Sequence, residues 1–178
     1  MSVRAFIAVG SNIEAERNVA DALERLGQHE RIVAVSCFYW TLALGAPDSS
    51  PDFLNGVVEI ETELGPRELK RSVLLEVEGE LGRERDSEKY APRTIDLDLV
   101  LHGDVVCSEE GLVLPAPEIL ERPFVALPLL ELEPKLVLPG TDRPLSELVR
   151  GLSSNEMTPA EQFNAGLPRV ERSGKESA

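Results

Sequence analysis

Apolar positions along this chain fall at two spacings, one of strands and one of helices. Residues 3–9, VRAFIAV, form a β-prone run that ends at the turn residues Gly10, Ser11 and Asn12. Val19, Ala20, Leu23 and Leu26 then recur near helical spacing and predict a helix over 17–28, closed near Gly27. The β-branched and aromatic run RIVAVSCFYWT predicts a second strand over 31–41, with Cys37 buried in it as a small hydrophobe. Residues 42–52, LALGAPDSSPD, are rich in Gly, Pro, Ser and Asp. A connection of that length is unusual in a compact domain and marks a functional loop.

A third strand is expected over 53–63, closed by Gly65-Pro66. Leu69, Val73, Leu74, Val77 and Leu81 then make one apolar stripe, so 66–81 reads as a helix with Pro66 in its first turn. After the charged segment RERDSEKYAPR comes the alternating strand TIDLDLVL, residues 94–101. A turn and short strand are expected over 103–114, and then short helices broken by Pro117, Pro123 and Pro128. The order strand–helix–strand–strand–helix–strand predicts an α+β domain of the ferredoxin-like, split βαβ kind: an antiparallel sheet with helices packed on one side. Periodicity fades near the end, which sets a domain at 1–158 and a loosely held tail at 159–178.

Composition narrows the function. With 42% hydrophobic and 28% charged residues, the chain is of ordinary globular make-up, and it carries no apolar run long enough to span a bilayer or to open a secretory signal. A net charge of −14 argues against broad nucleic-acid binding but leaves room for a small anion held by local arginines. Two cysteines make neither a disulfide framework nor a metal cluster, so a reducing cytoplasm is expected.

The candidate chemistry begins with Asp96 and Asp98. In a strand they share one face while Ile95, Leu97, Leu99 and Leu101 share the other. Two like charges about 7 Å apart repel, which leaves two readings: a solvated strand face, or a site where carboxylate oxygens hold Mg²⁺. Upstream lie Arg83, Arg85, Lys89 and Arg93, whose guanidinium forks suit phosphate oxygens; alternatively they pair with Glu84, Asp86 and Glu88 in an exposed loop. No P-loop or kinase glycine loop is present. His102 has the facing parity of Asp98, at the strand end. Phe53 and Asn55 lie two apart on one strand face, where an aromatic plate beside an amide could hold a planar heterocycle; Phe53 also reads as plain core.

AVGSN at 8–12, FYWT with LG at 38–45, PDFLN at 51–55, GRERDSEKYAPRTIDLDLVLHGD at 82–104, RPF at 122–124 and PLLEL at 128–132 together resemble the 6-hydroxymethyl-7,8-dihydropterin pyrophosphokinases of folate biosynthesis. The resemblance implies transfer of pyrophosphate from ATP to the hydroxymethyl oxygen of a reduced pterin, with AMP released. It implies that Asp96 and Asp98 hold two Mg²⁺ ions, and that Arg83, Arg85, Lys89, Tyr90, Arg93 and Arg122 serve the nucleotide side. Arg83 and Arg93 would also act in catalysis, and Glu78 matches an acidic position near the ATP base. Phe53 and Phe124 match the plates around the pterin, Asn55 its amide reader, and Thr41, Leu42 and Leu44 the pocket loop.

Departures from the family pattern are Ala116 in place of a histidine, Ala91 in place of a glycine, and Leu42-Ala43 in place of two prolines. ATP and the pterin are the expected partners, nucleic acid and membrane are not, and a monomer is expected with a dimer left open. The other reading is a divergent or impaired paralogue that binds nucleotide or heterocycle without turnover.

Overall fold

The structure is a computed structural model that describes residues 1–43, 50–82 and 94–167. Strand β1 (Val3–Ser11) leads into helix α1 (Ala15–His29), then β2 (Arg31–Val35), β3 (Tyr39–Thr41) and β4 (Phe53–Thr62). The helical stretch that follows runs as α2 (Pro66–Leu69), a π-helical turn (Lys70–Leu74) and α3 (Leu75–Glu80). It delivers the chain to β5 (Asp96–His102). The hairpin β6 (Cys107–Glu109) and β7 (Leu112–Leu114) precedes α4 (Glu118–Glu121) and α5 (Pro123–Leu132). A small ribbon of β8 (Val137–Leu138) and β9 (Arg143–Pro144), helix α6 (Leu145–Leu148), β10 (Met157–Pro159) and α7 (Glu161–Gly166) complete the described chain.

The main sheet has the order β10-β3-β4-β1-β5, with β2 also paired to β4, and every recorded pairing is antiparallel. Alternation along β1 divides two cores. Ala5, Ile7 and Val9 face a cluster with α1 and α3, whereas Phe6 and Ala8 face a second cluster that includes Val125, Ala126 and Leu129 of α5. The sheet is therefore covered on both sides, not on one. The second layer comes from the proline-rich segment, whose helix α5 is apolar on most sides and so needs burial wherever it lies. Pro128 does not break α5: four of its neighbours in the helix are buried with it (Val125, Ala126, Leu129 and Leu132), and that packing outweighs one missing N–H.

Other boundaries moved for local reasons. Gly27 lies inside α1, where an added Cβ would make only an ordinary contact with Ile32, so nothing forces the helix to stop there. The single strand expected over 31–41 is two strands joined by a break at 36–38. There Phe38 is wholly buried and Cys37 turns outward to an exposed position, reversing the expected burial of the thiol. Residues 159–167, expected in the loose tail, carry the end of β10 and helix α7, whose Asn164 is hydrogen-bonded to the Phe38 backbone. No residue of α7 is fully buried, which is why its apolar pattern is faint.

Glu59, buried at 2% exposure opposite Phe6 on the neighbouring strand, is neutralised by an ion pair with Arg4. The Arg4 guanidinium also reaches Glu133 at 3.0 Å, and Glu59 foremost raises its affinity for the proton. Among the described residues no helix is long and apolar enough to cross a membrane.

Gly56 lies against the Phe38 ring so closely that a Cβ would sit 2.8 Å from three ring carbons. Gly56→Ala should therefore lower stability by about 1–3 kcal/mol, because a buried ring on a tied backbone cannot withdraw. Urea unfolding of the two chains checks this.

Candidate active site

The sheet register assembles the site. Residues directly opposite in paired strands share a face, so Tyr39, Asn55, Gly10 and Asp96 form one cross-strand row. Val57, Ala8 and Asp98 form the next, and Thr41 opposite Phe53 closes the end. All lie on the face covered by α5, where Phe124 packs in the first turn of that helix. Asn55 and Asp96 stand two strands apart, about 10 Å, with only the bare backbone of Gly10 between them.

That gap is used. The Asn55 amide donates from Nδ2 to Thr41 Oγ1 at 2.8 Å, and its Oδ1 leans over Gly10 so closely that a Cβ there would lie 2.6 Å from it. Phe53 and Asn55 are half-buried, Thr41 is buried, and Leu42 is exposed. Tyr39 donates to Glu131 of α5; burial first, and then that acceptor, pushes its phenol well above the usual tyrosine range.

The carboxylates sit at the other end of the row. Asp96 is half-buried and Asp98 exposed, on the edge strand of the sheet. The start of β5 is pinned from two sides: Ser11 Oγ donates to Thr94 O at 2.6 Å, and Leu97 N donates to Glu78 Oε1 at 2.8 Å. Glu78 is buried on α3. Its carboxylate thus secures the residue between the two aspartates, a contact that no sequence spacing reveals.

A bulge at Val100 changes the far end of β5. Ile7 is opposite Leu99 while Phe6 is opposite Leu101, so one step on β1 matches two on β5. Leu101 passes to the α5 side, and His102 turns to the opposite face, with Nε2 2.8 Å from Leu64 O. The parity that linked His102 to Asp98 is lost, and the imidazole is no part of the site.

Arg122 is exposed, immediately before α5, and Ala116 is buried in the α5-side cluster with its N–H on Val100 O at 2.9 Å. Leu44, Arg83, Arg85, Lys89, Tyr90, Ala91 and Arg93 lie outside the described residues. A cavity of about 600 Å³ opens elsewhere, between α1, β2 and α7, lined by Leu23, Ile32, Val35 and Phe163.

A family model for 7,8-dihydro-6-hydroxymethylpterin-pyrophosphokinase matches residues 6–134, which contain every residue of this site. The chain belongs to that family. It is similar to the 2-amino-4-hydroxy-6-hydroxymethyldihydropteridine pyrophosphokinase of Haemophilus influenzae, 36% identical over 158 residues, covering 87% of this chain and 96% of the relative. It is also similar to the folic acid synthesis protein fol1 of Schizosaccharomyces pombe, at 41% identity over 84% of this chain but only 20% of that longer protein. A solved structure described as HPPK-DHPS in complex with substrates shares the fold, with a TM-score of 0.65 at 10% identity. It covers 97% of this chain and 46% of that one.

Gly10→Ala should break the Asn55–Thr41 hydrogen bond while leaving the sheet paired, since only the amide stands in the way of the new methyl. The expected signs are displaced Asn55 side-chain amide resonances and a stability loss of about 0.5–1.5 kcal/mol by denaturant melts.

Proposed function

We propose that this chain transfers a pyrophosphoryl group from ATP to the hydroxymethyl group of 6-hydroxymethyl-7,8-dihydropterin, releasing AMP. The observation that carries the reading is the row Asn55–Gly10–Asp96, which sets an amide for a heterocycle and a carboxylate for charge on one sheet face about 10 Å apart. Family membership supports the same reaction. The strand order, with α1 and the α2–α3 stretch as crossovers, supports the ferredoxin-like split βαβ form of the fold.

Asp96 and Asp98 offer oxygen donors only. Among the described residues no group of three or more His, Cys, Asp or Glu could hold a metal alone. A hard ion that keeps water and takes phosphate oxygens fits such a pair, as Mg²⁺ does. Two Mg²⁺ ions, when bound there, neutralise charge on the transferred group.

The chain's residues supply position. Phe53 and Phe124 serve as apolar plates for the pterin, and Asn55, its Nδ2 already aligned by Thr41, reads the ring edge. Leu42 and Leu44 close the pocket. Arg83, Arg85, Lys89, Tyr90, Arg93 and Arg122 serve the nucleotide. Glu78 acts by holding β5 and so the two aspartates. The hydroxymethyl oxygen then forms its bond to the β-phosphorus of ATP as the bond from that phosphorus to the α-phosphate oxygen breaks. AMP leaves with the electron pair, and the hydroxyl proton passes to solvent. Orientation of two bound substrates carries much of the rate enhancement. Its place is the cytoplasm, where ATP is at hand.

Incubation of the purified chain with ATP, Mg²⁺ and the reduced pterin tests the reaction. AMP should form in step with pyrophosphorylated pterin, and a folded chain that forms none would be a binding module instead. Asn55→Ala should weaken pterin binding by about 1–3 kcal/mol and spare ATP, as separate calorimetric titrations would register. Asp96→Asn or Asp98→Asn should keep the fold and cut turnover by roughly two to three orders of magnitude, with Mg²⁺–ATP stabilisation in thermal melts largely gone. Near-parent activity in either variant would leave the strand face merely solvated.

A further inference from the structure

Strand β3, which carries Thr41, is only three residues long, and a strand that short holds its place only through its neighbours. One neighbour is β4. The other is β10, pairing Met157 with Thr41, Thr158 with Trp40 and Pro159 with Tyr39. Just before β3, the break at 36–38 has its backbone satisfied almost entirely by groups distant in sequence. Asn164 of α7 accepts from Phe38 N at 2.7 Å and donates to Phe38 O at 3.0 Å, and Ala160 N donates to the same carbonyl at 3.0 Å. The Phe38 ring meets Phe163 edge-on at 5.4 Å and fills the space left by Gly56. On the opposite side, Glu131 accepts from Cys37 N at 2.9 Å. All of β10 and α7 lies beyond the matched family region, which ends at residue 134.

We propose that residues 157–166 are a strap that sets the pterin reader from behind, with Asn164 as its positioning residue. The line of action is short. Asn164 fixes the backbone of Phe38, that fixes the entry of β3, and β3 presents the Thr41 hydroxyl that orients the Asn55 amide. The aspartates stand on β5, across β4 and β1 from β3, so the strap bears on the heterocycle and leaves the nucleotide end alone. This rests on the pterin reading of the site and extends it to a segment outside the family match.

Asn164→Ala and Phe163→Leu, each in the full chain, test it. The expected result is a rise in KM for the pterin of about fivefold to tenfold, with kcat and the KM for ATP within about twofold of the parent. Hydrogen exchange should quicken at the amides of residues 38–41 and stay unchanged in β1 and β5. Equal losses for both substrates, an unchanged pterin KM, or failure of both variants to fold would each overturn the proposal, the last by making the strap a general fold element. A parent chain that binds no pterin would sink the functional reading. The exchange data would still show whether Asn164 holds β3, so the two failures are told apart.

Discussion

Strand β1 is paired along both edges, to β4 from Val3 to Ser11 and to β5 from Ala5 to Gly10, and the site is addressed through those two registers. A one-residue slip by either neighbour would turn Asn55 or the aspartates into the core beneath α1 and α3. Slippage is resisted because Ile7, Val9, Val58, Ile60 and Leu97 are almost wholly buried on that side, where an unpaired carboxylate would cost several kcal/mol. The hydrophobic face thus decides where the polar face points.

Much of this was legible in the sequence because it is local. The alternation in Asp96-Leu97-Asp98-Leu99 and the stripe from Leu69 to Val77 each report a period that short-range geometry enforces, and the two leucines and the stripe are buried as expected. The features that escaped have causes far along the chain. The break before β3 depends on Glu131 and Asn164, 94 and 126 residues away, and the bulge at Val100 on a register shift against β1. Pro128 stays helical because its helix neighbours are buried with it, a tertiary effect that a propensity cannot carry. Roles for Thr41, Leu42, Phe124, Glu78 and Arg122 are suggested only by family resemblance, since single side chains on separate elements leave no period to read.

The chain's acidity is distributed with some economy of purpose. Glu59 is buried against a guanidinium and Glu78 against the Leu97 amide, while Glu131 accepts from the Cys37 amide at the surface, so three carboxylates serve as clasps. A carboxylate accepting from backbone N–H groups makes a stronger bond than a neutral acceptor would. The carboxylates of Asp96 and Asp98, on the α5 face, lie nearer to solvent than those of Glu59 and Glu78, where an approaching cation can reach them.

The contact between Gly10 and Asn55 has a consequence for how this surface can diverge. Because a methyl at position 10 would collide with the amide at position 55, the two positions cannot be varied independently, and their mutational effects must be non-additive. A side chain added at position 10 while Asn55 stays would push the amide off Thr41, whereas one added after residue 55 has been shortened would meet an open floor. The same pair of substitutions thus reaches its end point through different intermediates, and the order in which they arrive decides whether the Asn55–Thr41 contact is strained or simply absent on the way.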